Sequence, residues 1–455
     1  MKRIYPALLF GAMIGLTACG SDDNEMPAIN LPLAETNIRV IHAGVDAPTV
    51  NVNANGAEIL ADVDYAQSSG LLTVTEGMYA VTLDAKLADG TVAEVLSADL
   101  DAMTEMEYTA VAVGKVADET LQLKLIANAI SDIAEGYTRV QVLHGTSDVG
   151  LVDIYVTAPG DDISDAAPTL SANFLDVSDQ LEILAGDYQI RITASGMKTP
   201  VFDSGTVTLE AATDYLVSAI PNAWTGDSPV ALLIALNDAH QVVLDKMAGS
   251  DVRVVHGVAD APAVDVFLDG AATPAVDMLT FGETTGYLNV PEGSHTVTVA
   301  ADADNSLVVI DEAPVTLTAG QSYSVLAVGS LGDDAIQPWV FMENRRAVAT
   351  EAKLNVAHAS YSAGNVDIYL TPSDDISEAM PALTDVPFMT ASGSLSIAPG
   401  DYVVSVTPTG TKTVAIGPLN ISLAAGGLYG VAAVDGQGGD APLGVILMDD
   451  FIANM

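Results

Sequence analysis

The sequence is poor in cysteine, in basic residues and in aromatics. Cys19 is its single cysteine, so no intramolecular disulfide can form and core packing must hold the fold. Lys and Arg number 15 against 60 Asp and Glu, a formal net charge of −45. Such a surface repels nucleic acid, whose binding depends on neutralising phosphates with Lys and Arg, and it disfavours anionic membrane surfaces. Past the N-terminus no apolar run approaches the length of about 20 residues that a spanning helix needs, so no transmembrane helix is expected. Aromatics make up 5% and the hydrophobic fraction is 49%, mostly Ala, Val, Leu and Ile. That fraction is too high for a disordered acidic tail.

The first residues read as a targeting segment. Lys2 and Arg3 precede an apolar stretch from Ile4 to Leu16. It is too short to span a bilayer and suits the apolar region of a signal peptide. Leu16-Thr17-Ala18-Cys19 resembles the bacterial lipobox, with Cys19 receiving lipid. Residues 1–18 are therefore expected to be a signal peptide and 19–36 a lipidated cysteine with a polar linker. Gly20 after the cysteine resembles lipoproteins sent to the outer membrane. The expected partner is a membrane, reached through the lipid anchor rather than a span.

Internal repetition organises the rest. Four segments align: IRVIHAGVDAPTVNVNANG from Ile38, VQVLHGTSDVGLVDIYVTAPG from Val140, VRVVHGVADAPAVDVFLDG from Val252 and LNVAHASYSAGNVDIYLTP from Leu354. Each is an alternating strand ending in His, a turn of small residues, and a second alternating strand. The interval from His42 to His256 equals that from His144 to His358. Copies one and three share Asp-Ala-Pro in the turn, whereas copies two and four share Asp-Asp-Ile-Ser further on. The order is thus A-B-A′-B′, a duplicated two-domain block. Expected units are 37–135 and 250–350 (type A), and 136–249 and 351–455 (type B).

Each unit is long enough for its own core. Short alternating strands rich in Val, Thr and Ile, broken by Gly, Pro, Asp and Asn, predict an all-β fold. The late Tyr108, Tyr215, Tyr323 and Tyr429 suggest tyrosine corners, hence tandem immunoglobulin-like β-sandwiches. A short helical turn capped by Asp is expected after Asp162 and Asp375. The strand–His–turn–strand pattern, the Gly-x-Tyr turns such as Gly400-Asp401-Tyr402 and the strand Tyr323 to Gly329 resemble the bacterial domain-of-unknown-function family 4397. That resemblance covers nearly all of residues 37–455. It implies exported tandem β-sandwiches and no particular activity.

The sharpest chemical feature is the histidine repeated at 42, 144, 256 and 358. Catalysis would pair each ring with Asp46, Asp148 or Asp260, or with an acid nine residues on. No Ser or Cys nucleophile recurs beside them. The alternative is structural, with the ring bonded to the turn's backbone. One such His per domain and no HExxH argue against zinc or copper. Calcium prefers clustered oxygens, and its candidates are Asp161, Asp162 and Asp165 with counterparts Asp374, Asp375 and Glu378. Asp302, Asp304 and Asn305 form another acidic group. The string Gly436 to Ala441 mimics a dinucleotide loop but precedes Pro442, so it reads as a turn. Trp224 and Trp339 are either sugar-stacking or inter-domain residues.

The expected function is that of a structural or adhesive envelope lipoprotein with no enzymatic activity, its four domains in a row forming a stalk. The alternative is an extracellular module for a glycan or another ligand, assisted by calcium, with protein ligands also open. No cofactor is required by either.

Overall fold

A computed structural model of the chain describes residues 34–439 and 442–453. The expected signal peptide and Cys19 lie outside the described residues. Repeat 1 consists of β1 (Glu35–Gly44), β2 (Val50–Ala54), β3 (Ala57–Val63), β4 (Gln67–Ser68), β5 (Leu72–Thr75), β6 (Gly77–Lys86), β7 (Val92–Ala102), β8 (Met106–Gly114) and β9 (Gln122–Ala129). β1 begins at Glu35, inside the segment expected to be linker, because Glu35 and Thr36 pair with Thr75 and Val74 of β5.

The strands form two facing sheets. One has the order β4-β1-β8-β9, with β5 also against β1; the other is β3-β2-β6-β7. Alternation sends Ile38 and Val40 inward to meet Val52, Leu83 and Leu100 from the second sheet, as a half-buried strand requires. The other repeats follow the same plan, so the chain is all-β, with four tandem sandwiches. The strands are dealt to the sheets differently from immunoglobulin domains, where the first, second and fifth share a sheet. Here β1 runs parallel to β8, from Asn37↔Glu107 to Gly44↔Gly114, while β2 and β6 lie in the opposite sheet. The same parallel pairing joins Tyr137–His144 to Asp214–Pro221, Ser250–His256 to Ser322–Val328, and Ala352–His358 to Leu428–Val434.

Each late tyrosine closes its corner as expected. The hydroxyls of Tyr108, Tyr215, Tyr323 and Tyr429 accept the backbone N–H five residues upstream, at 2.9–3.2 Å. The side chain after each Gly-turn is also fixed. Tyr79, Tyr188 and Tyr402 donate to the carbonyl four residues back, and His295 makes the same bond at the equivalent place.

The repeats are not beads in a row. The outer face of the β1–β8–β9 sheet packs on the matching sheet of repeat 2. Ile41, Val111, Val113 and Ile126 share one core with Leu143, Leu216, Ile220 and Leu233. Repeats 3 and 4 pair the same way, with Val255, Leu326, Val328 and Trp339 against Ala432, Val434, Ile446 and Met448. Each block is therefore four sheets deep, and its two middle sheets are buried on both faces. The strand Val230–Ala235 shows this: every residue is buried, Val230, Leu232 and Ile234 in their own core and Ala231, Leu233 and Ala235 against repeat 1.

The two blocks also touch. Arg346, between repeats 3 and 4, donates to the carbonyls of Val45 (3.0 Å) and Ala47 (2.9 Å) in repeat 1. It also pairs with Asp64 and lies over the Tyr65 ring. Ala349 donates to the Asp46 carbonyl at 2.8 Å. This closure replaces the expected linear stalk.

Candidate functional site

The four histidines lie at or near the end of the first strand of each repeat, His42 two residues before it and the others at the last residue, and all are buried. In each, Nε2–H donates to the carbonyl six residues on: Pro48 (3.0 Å), Gly150 (3.2 Å), Pro262 (2.9 Å) and Gly364 (3.0 Å). A carbonyl only accepts, so the proton sits on Nε2. Burial holds all four pKa values below the ordinary imidazole value, despite the opposing pull of those carbonyls. The rings are neutral staples for the turn, and none bonds a carboxylate. Asp46 and Asp260, the expected partners of the rings, instead tie their turn to a neighbouring loop. Asp46 accepts the N–H groups of Val116 and Ala117 at 2.8 and 2.9 Å. Asp260 accepts those of Leu331 and Gly332, both at 2.9 Å, and the Ser330 hydroxyl. Burial raises the pKa of Asp260, but these donors outweigh it and hold it below the ordinary carboxylate value. Repeat 4 lacks the turn acid, and the loop supplies one in its place. Asp435 accepts from the Ser360 and Ser362 hydroxyls and from the Tyr361 N–H at 3.0 Å.

The expected calcium ligands do not converge. Asp161, Asp162 and Asp165 are exposed, as are Asp374, Asp375 and Glu378. Asp162 accepts the N–H and hydroxyl of Ser164, and Asp375 accepts the N–H of Ser377. These contacts lower both carboxyl pKa values. Each is a turn closed on itself two residues ahead, not the helical turn expected. It sets Ile163 or Ile376 into the interior, each 5% exposed. The carboxylates that do meet are Asp265, Asp277 and Asp302, within 4.8 Å of one another. Asp265 also accepts the Met278 N–H. Asp302 thus parts from Asp304, its neighbour in the expected acidic group, which turns instead to Ser306.

The tryptophans are inter-domain residues. Trp339 is buried in the repeat 3–4 interface with Phe341 at 4.8 Å. Trp224 packs beside Tyr65 across the repeat 1–2 interface. The glycines from Gly436 to Gly439 lie in a turn whose Gly438 N–H donates to Ala259; Asp440 and Ala441 are outside the described residues.

What sequence reasoning missed is a cleft of about 220 Å³ where repeats 3 and 4 meet. Two turns and two loops build it, with Asp260, Ser330 and Asp333 from repeat 3 facing Tyr361, Ser362 and Asp435 from repeat 4. Gly329 makes the loop turn at φ +113°, and any Cβ there would lie 2.1 Å from the Ala335 carbonyl. Among the described residues, no basic side chain lines the cleft. Its walls belong to different repeats, so only the pairing of repeats brings them together.

Tandem β-sandwiches, paired by their sheets and stapled by one histidine per repeat, define a modular all-β protein. More narrowly, the family described as Domain of unknown function (DUF4397) matches residues 36–155 and 250–369. Those two segments are over half of the chain, which belongs to that family. Each match begins at the same point of its A-B block, at the start of the first strand. Among curated proteins, none matches this chain.

Proposed function

We propose that this chain is a lipid-anchored protein of the bacterial envelope that acts through contacts rather than turnover. One observation carries this reading: the repeated polar groups are committed to building a rigid paired body. The histidines staple turns, the turn acids tie loops, and the buried Arg39 and Arg253 reach across to the paired repeat. The lipobox-like Leu16 to Cys19 supports an anchor, and the outer membrane is the expected address. Protease shaving of intact cells tests the adhesive role, with a periplasmic protein as leakage control. Digestion of the chain while the control survives is the expected result. Protection until the outer membrane is opened overturns the adhesive role and favours a periplasmic scaffold.

A second reading is favoured by the cleft between repeats 3 and 4. Loop ends from paired sandwiches, with carboxylates, hydroxyls and one tyrosine, suit a small polar ligand or a side chain of a partner. Glycan binding belongs to this reading. Calcium assistance finds no support at the Asp-Asp-Ile-Ser turns, whose acids cap their own backbone.

A further inference from the structure

The two blocks are duplicates, so each position of one can be compared with its counterpart in the other. Strand register makes Gly114 of repeat 1 the equivalent of Gly329 in repeat 3, since His42 pairs with Ala112 and His256 with Ala327. Lys115 is then equivalent to Ser330. Asp148 and Ser362 each follow the repeated histidine by four residues. In the first block, the Lys115 ammonium crosses from repeat 1 to repeat 2 and pairs with Asp148. In the second block both partners are serine, and the same place is the open cleft.

The loss of Lys115 is not matched by a loss of negative charge. Asp260, Asp333 and Asp435 all line the cleft, and Asp435 is an acid that the loop adds. The Tyr361 side chain is 37% exposed, with its ring edge-on to Phe388 at 5.9 Å. It offers aromatic surface to an alkyl stem or a cation. Ser330 and Ser362 are small enough to leave the space that a lysine fills in the first block.

We propose that the cleft between repeats 3 and 4 binds a primary ammonium group supplied from outside, in the place where the first block supplies its own from Lys115. The ligand is a lysine side chain of a partner protein or a small alkyl amine. This rests on the ligand-binding reading above and narrows it to a chemical class.

The test uses the full chain at about 0.15 M salt, where surface charges farther apart than about 8 Å are largely screened. Calorimetric titration compares a neutral-capped lysine peptide, the same peptide with its lysine acetylated, and cadaverine. The key variant is Ser330→Lys with Ser362→Asp, which rebuilds the first block's ion pair inside the cleft. It leaves net charge unchanged, so a loss of binding cannot come from weaker general attraction of cations. The expected result is saturable binding of an unmodified amine, at least tenfold weaker after acetylation and at least tenfold weaker in the double variant. The thermal midpoint of the variant stays at or above the parent's. Preference for the peptide over cadaverine identifies a protein partner, and the reverse identifies a small amine. Equal binding to parent and double variant overturns the proposal, as does no amine binding at all. A neutral oligosaccharide that binds the parent and not the variant would overturn the ammonium proposal while leaving the ligand-binding reading intact.

Discussion

The first and second blocks share one plan but treat their buried arginines differently. Arg39 and Arg253 occupy the same position on the first strand, on the face that meets the paired repeat. Among the described residues Arg39 has one ion pair, with Glu107 at 3.3 Å, and in repeat 2 it bonds the Leu236 carbonyl and feels the charge of Asp214. Burial lowers its pKa more than its acids raise it. Arg253 is 2% exposed and bonds Glu343, Ser324 and, at 2.9 Å, Asp449 of repeat 4. Burial also opposes its charge, but Glu343, Tyr287 and Asp449 outweigh burial and raise its pKa. The apolar parts differ as well. The first interface has an aliphatic centre of Leu143, Leu216, Ile220 and Leu233, with Tyr65, Phe174 and Trp224 packed against it. The second relies on Trp339, Phe281, Phe388 and Met448. The duplicated fold can thus be closed by mixed apolar packing with little charge across it, or by packing around a buried charge network that spans the two repeats.

The sharpest way to break this comparison is to remove each arginine. Arg253→Ala leaves the nearly buried Glu343 without its cation and Asp449 with Arg345 alone, a defect worth about 3–5 kcal/mol. Denaturant unfolding should show that loss in the second block. Arg39→Ala strands one acid and one carbonyl, and its cost should be clearly smaller. Equal losses would mean that the charge network does not distinguish the blocks.

The turn histidines should make both blocks sensitive to acid. The four buried histidines have lowered pKa values, so below about pH 6.5 the unfolded chain binds protons that the folded chain refuses. Stability is full above that pH and falls as pH drops through it, with a limiting slope of about 1.4 kcal/mol per pH unit for each histidine. His295 of the second block has the opposite sign. Its bond to Asp269 raises its pKa, so its contribution is present below about pH 6.5 and is lost as pH rises through the folded value. Thermal melts from pH 8 to 5 should therefore show the first block losing slightly more than the second. His295→Tyr, which restores the residue of the other repeats, should remove that difference.

The smallest expected effect concerns Asp302. Register makes it the counterpart of Lys86 in repeat 1, which pairs with Asp62, and of Ser195 in repeat 2, which lies 3.5 Å from Asp153. Among the described residues, only repeat 3 gathers three carboxylates here. Asp302→Ser should stabilise the second block by about a few tenths of a kcal/mol in chelator-treated protein. A destabilised variant would show that like-charge repulsion is not what this group contributes.

Much of the fold is legible in the sequence, for local reasons. The repeated histidine and late tyrosine each bond backbone within six residues, so their contacts recur at fixed spacing. Alternation marks the strands because one face of each outer sheet meets water. The pairing of repeats is harder to read because the middle sheets have no wet face. Val230-Ala231-Leu232-Leu233-Ile234-Ala235 is an unbroken apolar run, the mark of a strand covered on both sides, and it is the signal that could have revealed the pairing. The cleft stays hidden because its acids come from separate repeats. The calcium candidates mislead because adjacent acids in a turn look alike whether they wait for a cation or cap their own backbone.

The bond between Arg253 and Asp449 also sets an order of events. The two residues are 196 positions apart, and a chain exported N-terminus first delivers the first long before the second. Until the strand Gly444–Asp449 emerges, repeat 3 holds a cation at a face meant to be dry and lacks one of its anions. Repeat 1 depends less on later repeats, because Arg39 ion-pairs with Glu107 of its own unit alone, whereas Arg253 divides its charge between Glu343 and, in repeat 4, Asp449. The emerging chain should thus acquire its first sandwich early, whereas the third must wait for the fourth and reach its final form together with it.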